Sequence, residues 1–179
     1  SADCTGHGVP GGFLSMLGMS LLKEIVVKEY ITHTGVILRK LRKEVINSLK
    51  RTLQAERKDG MDMAMISMPI DGEEIQFSGA NNPLYIIRKK DVKTKIDEAK
   101  SLTIDDSDFI LYEIKADKMP IGKYEIMDRY NDTFIKIHKG DMLYMFSDGF
   151  ADQFGGPKGK KFKYKPFKRL LLSVAEKSM

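Results

Sequence analysis

This chain is sparing with cysteine. Cys4 is the single one in 179 residues, which excludes an internal disulfide framework and fits a reducing compartment, so a cytoplasmic location is expected. No apolar run approaches the ~20 residues that carry a helix across a bilayer, and no membrane contact is expected of it. No basic start, apolar stretch and small-residue cleavage site stand together as a secretory signal. Internal repeats and low-complexity linkers are absent. So is a Gly-x-x-x-x-Gly-Lys-Ser/Thr phosphate loop, because no lysine follows the glycines of the opening stretch. Gly6-x-Gly8 followed by Gly11 and Gly12 also fails the dinucleotide-binding spacing. No Ser-His-Asp set is visible. Cys4 is followed by Thr5-Gly6-His7 with no arginine to cradle a phosphate, which excludes a cysteine-phosphatase loop.

What is present is an ordinary globular composition. Apolar residues make up 42% and charged residues 31%, and the length suits one domain spanning residues 1–179. The net charge is +5, with basic clusters at Arg39-Lys40-Leu41-Arg42-Lys43, Arg88-Lys89-Lys90 and Pro157 to Lys168. Solvated faces and one basic loop account for these. No RNP-like aromatic strand or zinc-knuckle spacing supports nucleic-acid binding, and no nucleic acid is expected as a partner. A basic loop can equally steer a phosphorylated partner.

The periodicity predicts a helix from Phe13 with Leu14, Leu17, Leu21, Leu22, Ile25 and Val26 on one broad face. A second helix follows Thr34 as N-cap, with Leu38, Leu41, Val45, Leu49 and Leu53 as its stripe. From Asp59 onward the text turns to short β-rich runs bounded by turns. Asp71-Gly72 is a hairpin signal and Lys139-Gly140-Asp141 another turn. The polar stretch from Ile96 to Asp108, with Asp97, Glu98, Asp105, Asp106 and Asp108, reads as a loop. The end reads as a helix with Phe167, Leu170, Leu171 and Val174 inward. Segregated helices and strands predict an α+β domain with helices packed on antiparallel sheets.

Three stretches carry candidate chemistry. Ala2 to Gly12, "ADCTGHGVPGG", has Asp3 and His7 within a glycine-rich turn. Glycines let backbone groups approach a ligand closely, and a carboxylate there suits a hard divalent cation; a plain turn that starts a helix is the competing reading. In "YMFSDGFAD" an apolar strand runs into Asp148-Gly149, with Asp152 four residues on. A hairpin would explain Asp-Gly, but "QFGGPKGKK" is no return strand, so an aspartate aimed at a cleft fits better. In "KDGMDMAM", Asp62 has no obvious capping duty. Acidic residues at strand ends and a glycine turn meeting around metal suggest metal-activated water attacking a phosphoryl group.

"ADCTGHGVPGGFLSMLG", "DGMDMAM", "FSGANNPLYIIR", "ADKMPIG" and "KGDMLYMFSDGFADQFGG", in that order, closely resemble the SpoIIE/RsbU-like branch of the metal-dependent (type 2C) protein phosphatases. The resemblance covers nearly the whole chain. It implies an α/β sandwich of two antiparallel sheets with helices outside, Mn2+ or Mg2+ as cofactor, and hydrolysis of phosphoserine or phosphothreonine. It also implies a protein substrate of the partner-switching, anti-sigma-antagonist type, and an upstream sensor domain. By position, Asp3 matches the aspartate bridging two metals, Cys4 the residue lending a backbone carbonyl, and Asp148 the later metal aspartate. Asp3 and Asp148 are therefore the expected catalytic residues. Gly6, His7 and Gly8 match the Gly-His-Gly that shapes the turn, and His7 is not assigned as a general acid. Asp152 matches an acidic position after the second motif. Asn81 and Asn82 stand where relatives often carry His-Asn before Pro, near the site with Asp62.

The resemblance also implies an earlier acidic motif and a later Asp-Asp, which the sequence does not include. The expectation is a domain lacking its first strands and its last strand, with an incomplete metal cage and weak or absent activity. Open sheet edges would then invite a homodimer. The alternative is a non-catalytic module that keeps the fold and docks a phosphoprotein or regulator.

Overall fold

The computed structural model describes residues 1–52, 59–70, 72–92, 94–96, 99–104, 107–125, 127–157 and 159–177. Leu53, Asp71, Asp97, Glu98, Asp105 and Asp106, named above, lie outside the described residues. The elements in order are β1 (Ala2–Cys4), α1 (Gly8–Lys23), a π-helical turn (Glu24–Lys28), α2 (Thr34–Thr52), β2 (Gly60–Ser67), β3 (Glu74–Ala80), β4 (Leu84–Lys89) and β5 (Lys100–Thr103). They continue with β6 (Phe109–Ile114), β7 (Ile121–Gly122), β8 (Thr133–Lys136), β9 (Met142–Tyr144), β10 (Phe154–Gly155), β11 (Lys160–Lys161) and α3 (Tyr164–Ala175).

Two antiparallel sheets face each other. One runs β1-β2-β3-β8 with β7 also on β2, the other β5-β6-β4-β9. Side chains alternate across each strand, so each sheet has an inner and an outer face. Ala64, Ile75 and Phe77 of the first sheet meet Leu84, Ile86, Tyr112 and Ile114 of the second. On the outer face of the first sheet, Met61, Met63 and Ile121 pack against Leu14, Ile25, Leu38, Leu41 and Val45 from the helices. On the outer face of the second, Tyr85, Ile87 and Leu111 pack against Phe167 and Leu172 of α3. The result is a helix–sheet–sheet–helix sandwich. Leu38, Leu41 and Val45 are fully buried, each contributing about 1.5–3 kcal/mol of burial.

Three expectations need correction. The stretch from Ile96 to Asp108 holds strand β5, paired with β6 from Lys100↔Glu113 to Thr103↔Ile110. Its text, Lys-Ser-Leu-Thr, is polar because β5 is an edge strand exposed at most positions. In α3, Leu170 and Val174 are exposed and Leu172 is buried, so the inward face is turned from the one predicted. Gly8–Lys28 is, by length and composition, long and apolar enough to cross a membrane; no charge interrupts residues 8–22, and glycines and serines lengthen the run. Here α1 and the π-helical turn after it pack on α2 through Leu14 and Ile25 while Val9, Met16 and Met19 stay exposed.

Candidate metal centre

The site is built by strand register. β1 lies antiparallel to β2 with Asp3 directly opposite Asp62. Opposed residues in such a pair hold their Cβ atoms about 5 Å apart, and like charges there repel. β2 pairs β3 with Met63 opposite Ala80, so Asn81 follows in register beside Asp62. Its Nδ2 donates to Asp62 Oδ1 at 2.8 Å. Asn81 stands at φ +60°, a left-handed conformation that asparagine tolerates better than most residues. Asp62 alternates with Met61 and Met63, so it shares the inner face with Ala64. The row Asp3–Asp62–Asn81 thus lies at one end of the cleft between the sheets.

Asp148 comes from the other sheet, in the turn after β9. Its carboxyl comes up against that of Asp3, close enough to perturb it by charge and by hydrogen bonding. Burial, then the charge of Asp148 and that hydrogen bonding, push the Asp3 carboxyl above the ordinary range. Asp62 is pushed up by burial, partly offset by the Asn81 hydrogen bond, with the charges of Asp148 and Asp3 adding to the rise. These are the signs of carboxylates facing each other with no cationic side chain answering them among the described residues.

The glycine turn sets Asp3 in place. Gly6 and Gly8 have φ of +86° and +63°, where a side chain would be strained. A Cβ on Gly11 would come within 2.9 Å of the Gly6 carbonyl oxygen, so the start of α1 packs directly on the turn. Thr5, which sequence reasoning missed, fixes the turn to β2: its N–H donates to Gly60 O at 2.9 Å, and its Oγ1 accepts from Gly60 N at 3.0 Å. Cys4 Sγ accepts from Ser15 Oγ at 3.3 Å. His7 is the N-cap residue of α1, exposed, with no side-chain capping bond.

Asp152 sits beside the site, and Lys161 holds its carboxylate at 2.7 Å. Its N–H donates to Asp148 O at 2.8 Å, so it braces the Asp148 turn. Asn82 is buried with Nδ2 unpartnered. Tyr164, also missed, opens α3 near the carboxylates; burial and then the charges of Asp148, Asp152 and Asp62 push its hydroxyl up. Only its place after the basic stretch could have signalled it. β10 and β11 pair with each other, so "QFGGPKGKK" makes its own hairpin and does not return along β9.

The donors suit a hard cation in kind, being carboxylate and carbonyl oxygens. In number they fall short: among the described residues no group of three or more His, Cys, Asp or Glu is placed to hold a metal ion. The close pair is Asp3 and Asp148, with Asp62 next to it.

The family model described as Stage II sporulation protein E (SpoIIE) matches residues 1–179. Among solved structures, the SiaA-PP2C domain of Pseudomonas aeruginosa shares the fold with a TM-score of 0.73 at 23% identity. That match covers 98% of this chain and 60% of the other, so this chain spans less than two thirds of the solved chain. No curated protein matches the sequence.

Proposed function

Because the chain belongs to the SpoIIE family, we propose that its phosphatase-like fold serves metal-dependent hydrolysis of phosphoserine or phosphothreonine on a protein. The observation that carries this is the meeting of Asp3 on β1 with Asp148 in the turn after β9, close enough for each carboxyl to act on the other, beside Asp62. Two carboxylates pressed together raise the proton affinity of one of them, and a divalent cation relieves the repulsion better than a proton does. Asp3, Asp148 and the Cys4 carbonyl would hold Mn2+ or Mg2+. Such an ion supplies an acidified water and neutralises phosphate charge. The chain's own part is to fix these oxygens: Thr5 and Gly11 hold the turn, Asn81 holds Asp62, and Asp152 braces Asp148.

The partner in this reading is a phosphorylated signalling regulator of the anti-sigma-antagonist type. An upstream sensor domain, a cytoplasmic setting and pairing of two copies along an open sheet edge belong to the same proposal. The second reading, a non-catalytic module that binds a phosphoprotein, is favoured by the lack of a third converging ligand among the described residues. Turnover of p-nitrophenyl phosphate with Mn2+ by the full-length protein separates them. Hydrolysis that vanishes in Asp148→Ala supports the enzyme. Hydrolysis that survives unchanged removes Asp148 from the chemistry, and none in the wild type favours the binding module.

A further inference from the structure

We propose that the lysine-rich hairpin beside the carboxylates docks acidic residues flanking the phosphate of the protein substrate; this rests on the hydrolase reading above. From Gln153 through Ala175 there are seven lysines and arginines and no aspartate or glutamate. With the whole chain at +5, everything outside this stretch is net −2. The chain's net excess of positive charge therefore lies in this stretch.

Part of that charge is used internally. Lys161 is held by Asp152 at 2.7 Å and Lys168 by Glu113 at 2.8 Å. Lys160, Lys163 and Lys165 are exposed and have no acidic partner among the described residues. They ride on a segment stitched to the Asp148 turn. Phe162 N–H donates to Gln153 O at 2.9 Å and Lys163 N–H to Ala151 O at 2.6 Å, while Asp152 N–H donates to Asp148 O at 2.8 Å. So three free cations adjoin the proposed catalytic aspartate through a continuous chain of backbone hydrogen bonds.

The base under the hairpin is firm. Phe162 meets Phe150 edge-on at 5.6 Å, Phe150 meets Phe167 at 4.9 Å, and Phe167 meets Phe146 at 5.1 Å. This aromatic row runs from the surface into the buried cluster around Tyr85. Phe154, 71% exposed, stands among the lysines as apolar surface for a chain lying across it. An acidic peptide satisfies this surface with carboxylates on the lysines and one phosphate at the carboxylate end. A nucleic acid fits worse, because one phosphate can sit on the cation proposed for the Asp3–Asp62–Asp148 end while the neighbouring phosphates of a regular run would face those carboxylates.

The test is kinetics of the full-length protein with Mn2+ on two phosphoserine peptides, one with acidic and one with neutral flanks, and on p-nitrophenyl phosphate. The wild type is expected to favour the acidic peptide by about tenfold in kcat/KM, mainly through KM and less at high salt. Reversing charge at Lys160→Glu, Lys163→Glu and Lys165→Glu together should erase the preference and leave p-nitrophenyl phosphate turnover within about twofold. The triple lysine-to-arginine variant should keep the preference. No preference in the wild type, a preference that survives charge reversal, or tighter binding of a single-stranded oligonucleotide than of the acidic peptide overturns the proposal. If the wild type hydrolyses nothing, the hydrolase reading fails. Fluorescence anisotropy then decides the surface alone: binding of the acidic peptide that charge reversal abolishes upholds it, and no binding overturns it.

Discussion

The two ends of the cleft between the sheets treat aspartate in opposite ways. At one end Asp141 is buried and fully answered. Arg88, 1% exposed, reaches it with Nε at 2.9 Å and Nη2 at 2.6 Å, and His138 N–H donates at 3.0 Å. The rest of the guanidinium is taken by Thr94 O and Lys136 O at 2.8 Å. At the other end Asp3, Asp62 and Asp148 face one another, and among the described residues Asn81 is the side-chain donor that reaches them from outside the group. A carboxylate completed by the protein's own donors is architecture. Carboxylates left to repel each other are what the proposed cation would answer.

The largest expected effect breaks the satisfied end. Arg88→Ala leaves Asp141 buried without its cation and should cost about 3–5 kcal/mol in urea unfolding. Replacing the pair together, Arg88→Met with Asp141→Leu, should cost much less. An equal cost would show that the ion pair is not the feature that matters there.

Next comes the open end. Asp3→Asn should lower Mn2+-dependent hydrolysis on the order of a hundredfold or more, with no loss of stability in metal-free protein. A further aspartate sharpens the contrast. Asp132 Oδ1 accepts from Thr34 Oγ1, Ser78 Oγ and Gly35 N at 2.6–2.9 Å, tying α2 to the first sheet. Thr34→Val removes one donor from a buried network and should cost about 1–3 kcal/mol in the same unfolding assay.

The smallest effect is on pH dependence. The folded Asp3 and Asp62 carboxyls hold protons more tightly than unfolded ones. In metal-free protein their favourable contribution is complete below the ordinary carboxylate range and is lost as pH rises through their raised folded values. Asp62→Asn does not ionise, so it should gain on the wild type as pH climbs through that window. Urea midpoints of both proteins across the window check this, and a constant difference would count against it.

Much of this contrast was legible in sequence. The glycine turn with Asp3 and the strand-end Asp148 were each visible, because both sit in short motifs whose local chemistry is unusual. The helices and most strands followed from period. The pairing of Asp62 with Asp3 and Asn81 was hidden, since it depends on register between strands about sixty and twenty residues apart. Strand β5 was missed because an edge strand with a single apolar residue, Leu102, shows no alternation to read. Arg88 looked like part of a basic cluster, Arg88-Lys89-Lys90, and only alternation along β4 tells that it alone turns inward. Lys161 and Asp152 come together through a hairpin whose turn glycines and proline were visible but whose two-residue strands were too short to show alternation.

The most direct measurement is thermal unfolding of the metal-free protein and of the same protein with Mn2+, for wild type and Asp3→Asn. An ion that binds only the folded state stabilises it by mass action, about 2.7 kcal/mol at a hundred times its Kd. The wild type should melt higher with Mn2+, and Asp3→Asn should lose most of that gain while melting no lower than wild type without metal. Identical melting with and without Mn2+, or a metal-free Asp3→Asn clearly less stable than wild type, would mean that the open end is not a cation site.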